Sequence, residues 1–69
     1  MYYLIEITTT TDKINKQIYS YNLRNDAVAT FHKKLGNSME KAEIVDAMFM
    51  VIDERGSVIE NAYFKQDEA

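Results

Sequence analysis

Side chains that could do chemistry are few, and their spacing works against them. His32 is the single histidine of the 69-residue chain, and the helical ligand positions three and four residues away hold Val28, Ala29, Leu35 and Gly36. A histidine pair on one helix face is therefore missing. Without cysteine there is no thiolate ligand, thiol nucleophile or disulfide. Asp53 opens a candidate loop, but Arg55 stands where a calcium loop needs its next oxygen ligand. Glu40, Glu43, Asp46, Glu54 and Glu60 read as a solvated rim. Gly36 and Gly56 are the only glycines, too few for a phosphate-cradling loop. The expectation is a protein that is not an enzyme and takes no cofactor and no metal.

Tyrosines offer the one alternative chemistry. Tyr2, Tyr19, Tyr21 and Tyr63 fall in strand-like segments, and sheet aromatics can stack single-stranded bases. Such a platform also needs a basic groove. Eight basic against eleven acidic residues give a net charge of −3, which repels phosphate backbones and anionic lipid. The expected partners therefore include neither nucleic acid nor membrane.

The elements that must carry these residues follow from periodicity. Tyr3–Thr9 is β-branched and aromatic, with Tyr3, Ile5 and Ile7 on one face, and reads as a first strand. Thr10–Lys13 form the turn. Ile14–Tyr21 alternates as a second strand, with Ile14 and Ile18 opposite Tyr19 and Tyr21. A helical period follows: Ala27, Val28, Phe31, Leu35 and Met39 make one stripe, capped by Asn22 or Asn25 and extending to about Lys41. Gly36 is the point where this helix could bend or stop. Ile44–Ile52 is a third strand, Asp53-Glu54-Arg55-Gly56 a type I turn with glycine at the left-handed position, and Ser57–Phe64 a fourth strand. Residues 1–65 form one domain, and Gln66 to Ala69 a frayed polar tail.

The fold class is α+β: a four-stranded antiparallel sheet, β-β-α-β-β in preferred order 2-1-3-4, with one helix packed on one face. A helix of ~18 residues spans ~27 Å and returns the chain across the sheet, so this order makes every pairing antiparallel. The N-terminus lacks a basic and apolar leader, and the longest apolar run, Ala47–Ile52, is far short of a membrane span; the expected location is cytoplasmic.

Tyr3-Leu4-Ile5-Glu6-Ile7, Ile18-Tyr19-Ser20-Tyr21, Ala27…Phe31-His32 and Ile52-Asp53…Gly56…Val58 together resemble short uncharacterised proteins encoded in phages and prophages of gut bacteria. The resemblance implies a small accessory protein and carries over no functional residue.

A sheet with one helix should be polar outside, yet apolar residues fall on both faces. Val45, Ala47, Phe49, Val51, Ile59 and Tyr63 are assigned to the helix side, because Asp46 and Glu60 belong to the other. The outer face is expected to hold Tyr2, Leu4, Tyr19, Tyr21, Met48, Met50, Ile52 and Val58, with Ala62 beside them. Pairing of Ile52 with Val58 and Met50 with Glu60 underlies that assignment. A chain this short buries little core, so covering such a face would add needed burial. The expected function is a structural or interaction protein working through this face, as a homodimer or with another protein. The alternative is an acidic, inhibitor-like protein that occupies a basic site on a host enzyme. Single-stranded nucleic-acid binding through the tyrosines comes last.

Overall fold

A computed structural model describes residues 1–66. The elements are β1 (Tyr2–Thr10), β2 (Ile14–Tyr21), α1 (Arg24–Met39), β3 (Ile44–Asp53) and β4 (Val58–Lys65). The four strands form one sheet in the order β2-β1-β3-β4, with every neighbouring pair antiparallel. This is the expected α+β architecture. The 16 residues of α1 span ~24 Å, close to the ~26 Å of an eight-residue strand, so the helix delivers β3 to the far side of β1. Among the described residues no helix is long and apolar enough to cross a membrane.

α1 buries Ala27, Phe31 and Ser38. Ser38 follows Ala27 by eleven residues, just over three whole turns, whereas Met39 is turned a further 100°. Met39 consequently leaves the expected stripe and is 56% exposed. Neither asparagine caps the helix. Leu23 occupies the N-cap position in extended conformation, without a side-chain hydrogen bond, and its carbonyl accepts from Ala27 N–H. The helix runs through Gly36 and stops at Met39, two residues before the expected end. At its C-terminus the Gln66 side-chain amide donates to the carbonyls of Met39 (3.4 Å) and Lys41 (3.2 Å). Gln66 N–H also donates to Val45 O at 2.8 Å, so the first residue of the expected tail is tied to the domain. Residues 67–69 of that tail lie outside the described residues.

The core consists of Leu4, Ala47, Phe49 and Val51 from the sheet, Ile44 at the start of β3, and Ala27 and Phe31 from the helix. Leu4 is fully buried, which corrects its expected place on the outer face. It pairs with Val51, and a cross-strand pair shares one side of the sheet. Tyr2, Tyr19 and Tyr21 follow Leu4 by strand alternation and pack against the same core. The sequence of β1 is apolar at both even and odd positions, so the register with β3 settles which set goes inward.

The turn after β3 is as expected. Gly56 has φ +87°, and Asp53 Oδ1 accepts hydrogen bonds from Arg55 N–H (2.8 Å) and Ser57 N–H (2.9 Å). Ile52 pairs with Val58, but Val51 pairs with Glu60, leaving Ile59 as a bulge. Met50 therefore faces Asn61 rather than Glu60, and everything downstream changes sides. Ala62 joins the helix side with Phe64 and Ile59, and Tyr63 turns outward, 65% exposed.

Candidate interaction face

The register places sixteen side chains of the uncovered sheet face in four rows that run across β2, β1, β3 and β4. Row one is Ser20, Tyr3, Ile52 and Val58. Row two is Ile18, Ile5, Met50 and Asn61, and row three Lys16, Ile7, Met48 and Tyr63. Ile14, Thr9, Asp46 and Lys65 close the face as row four. The two central columns are apolar from row one to row three. At the margins, Ile14 (60%), Ile18 (69%), Val58 (53%) and Tyr63 (65%) stand well into solvent. Met48, Met50, Asn61, Ala62 and Tyr63 line a shallow depression of about 220 Å³.

Helix-side positions of the same strands combine the core residues Leu4, Ala47, Phe49 and Val51 with polar ones. Asn15 and Gln17 of β2 face Thr8 and Glu6 of β1, and Glu60 lies beside Val51. In the ordinary pattern the covered face is apolar and the wet face polar; here the wet face is apolar through its middle as well. Glu6 is held by Lys34 of α1, whose Nζ lies 3.5 Å from Oε1, 3.4 Å from the Tyr19 hydroxyl and 4.5 Å from the centre of the Tyr19 ring. Burial by itself would lower the Lys34 pKa, but the Tyr19 hydroxyl and the Glu6 charge together raise it above its usual value. Glu6 Oε1 is closed to solvent and has no hydrogen-bond partner among the described residues. Tyr19 thus serves as a clamp for a lysine beneath the helix.

Of the eight residues expected on the outer face, Met48, Met50, Ile52 and Val58 are there. Tyr2, Leu4, Tyr19 and Tyr21 lie on the helix side, so the four strand tyrosines that could have made a base-stacking platform are divided between two faces. The outward apolar residues of β1 and β2 are instead Tyr3, Ile5, Ile7, Ile14 and Ile18, and β4 adds Tyr63. Alternation had already grouped Tyr3 with Ile5 and Ile7, and Ile14 with Ile18; the pairing of Tyr3 with Ile52 supplies the missing link. The face is thereby more apolar than expected. Its charges are Lys16, Lys65 and Asp46, a net of +1 on a chain of −3, and Asp46 and Lys65 are cross-strand partners.

His32 is exposed on the helix, edge-on to the Phe31 ring with centroids 5.0 Å apart. Asp53 is held below the usual carboxylate range, first by the Ser57 N–H and then by that of Arg55. Both groups have local structural explanations. Comparison with protein-family models, curated proteins and solved structures returns no match.

Proposed function

We propose that the protein is a non-enzymatic interaction module that acts as a homodimer through the uncovered sheet face. The carrying observation is the apolar middle of the open face: Tyr3, Ile5, Ile7, Met48, Met50 and Ile52 line the side of the sheet away from the helix, in addition to the core on the other side. Four strands at ~4.8 Å and four rows at ~6.7 Å give a flat area of about 500 Å². Two stacked copies bury on the order of 1,000 Å² before side-chain relief is counted, the least a specific interface requires. Pairing must therefore use the entire face. Met and Tyr with few charges are also the composition of interface centres. A near-neutral face lets two copies approach although each chain is acidic. The inhibitor-like alternative has less to stand on, since Asp46 lies on the open face and Glu6 and Glu60 on the helix side.

Light scattering at micromolar concentration tests this reading. A mass of twice 8.0 kDa is expected for the wild type. Met50→Lys should halve it while the circular dichroism spectrum is retained. A wild type that stays at 8.0 kDa at millimolar concentration refutes homodimerisation.

A further inference from the structure

The strand register also determines how two such copies can meet, an inference that rests on the homodimer reading. A two-fold axis between stacked faces lies in their plane and runs either along the strands or across them. With the axis along the strands, β1 lies over β3 of the second copy and β2 over its β4, row upon row. Tyr3 then meets Ile52, Ile5 meets Met50 and Ile7 meets Met48, so the centre is apolar throughout. Lys16 comes over the Tyr63 ring of the second copy, a cation–π arrangement. Thr9 offers its hydroxyl to Asp46. Lys65 is set over an aliphatic side chain, Ile14, but in the outermost row, where its ammonium reaches water. With the axis across the strands, each strand lies over itself end for end. Ile52 would face Asp46 and Ile18 would face Lys16, so neither of these charges gains a polar or aromatic partner from the second copy, while Lys65, still in the outermost row, would lie over Val58.

We infer that the occupant of the face is a second copy whose two-fold axis runs parallel to the strands. The product is a helix–sheet–sheet–helix sandwich, its sheets aligned at about −30° as in other sandwiches, with Lys16 on Tyr63 as its polar specificity contact.

The absence of native cysteine makes the axis directly readable by single-cysteine variants and a short bismaleimide. Thr9 and Asn61 are polar positions of the face that tolerate a small side chain. With the axis along the strands, Thr9 lies in the same row as its own copy, one strand spacing aside. Asn61 lies three strand spacings, ~14 Å, from its copy. With the axis across the strands the relation reverses: the two Thr9 residues are three rows, ~20 Å, apart and the two Asn61 residues only one row. The expected result is that Thr9→Cys is captured as a covalent dimer on a denaturing gel and Asn61→Cys stays monomeric. Any other capture pattern, with light scattering still giving twice 8.0 kDa, overturns the axis and leaves the homodimer standing. A mass of 8.0 kDa for the wild type and both variants overturns the homodimer itself, and the axis with it.

Discussion

Ile18 sits in the middle of edge strand β2 and is 69% exposed in the single chain. In an isolated monomer, Ile18→Thr should change stability by no more than about 0.5 kcal/mol, because the new side chain keeps the β-branch and loses little buried surface. In a face-to-face dimer the same substitution acts on surface that the second copy covers. Burying an isoleucine side chain completely contributes roughly 1.5–3 kcal/mol. Covering the 69% still exposed yields about 1–2 kcal/mol per copy and about 2–4 kcal/mol for the symmetric pair. Threonine keeps one methyl group, so the lower figure applies, and about 2 kcal/mol corresponds to a roughly 30-fold weaker dimer. Sedimentation equilibrium over a dilution series measures that ratio. Urea unfolding at a concentration where both proteins are monomeric checks that the fold is untouched. A dissociation constant within threefold of the wild type would show that Ile18 is not covered. A monomer destabilised by more than ~1 kcal/mol would show that the single-chain argument is wrong.

The remaining expectations concern the single chain. Gly36 is helical and a Cβ there would meet nothing within 4 Å, so Gly36→Ala should add about 0.5–1 kcal/mol, read as a rise in Tm of roughly 2–8 °C. Gln66→Ala removes the side-chain donor from the Met39 and Lys41 carbonyls and should cost about 0.5–1 kcal/mol, with faster amide exchange in the last turn of α1. The Asp53 pKa is lowered in the folded state, so its contribution is complete above the unfolded carboxylate pKa and disappears as pH falls through the folded one. Urea unfolding should therefore separate wild type from Asp53→Asn at neutral pH and bring them together in strong acid.

Periodicity was enough for the architecture. The change from period two to period 3.6 after Asn22 locates α1. The length of that helix returns the chain across the sheet, and the preference for antiparallel neighbours then selects the strand order that is found. Side-chain facing was legible only where a charged residue marks the outer face. β3 qualifies through Asp46, with Ala47, Phe49 and Val51 inward and Met48 and Met50 outward as expected. β1 does not, because Tyr2 and Leu4 are as apolar as Tyr3 and Ile5, and only pairing with an already oriented β3 decides. In β4 the adjacent Val58 and Ile59 hide a bulge: both are apolar, so counting from the turn leaves every later residue on the wrong side. The even-numbered β1 residues and β2 tyrosines were misplaced for the first reason, and Ala62 and Tyr63 for the second. The apolar excess itself was legible, since it follows from composition and survives any exchange of faces.

Intermolecular NOEs in a sample mixed from ¹³C-labelled and unlabelled copies test the central claim most directly, because they report which side chains of one copy touch another. The predicted result is a set of NOEs confined to the open face, led by Ile5, Ile7, Met48 and Met50 methyls, with none from Ala27 or Leu35. Their absence at millimolar concentration, or their appearance on the helix side, would contradict the interaction face.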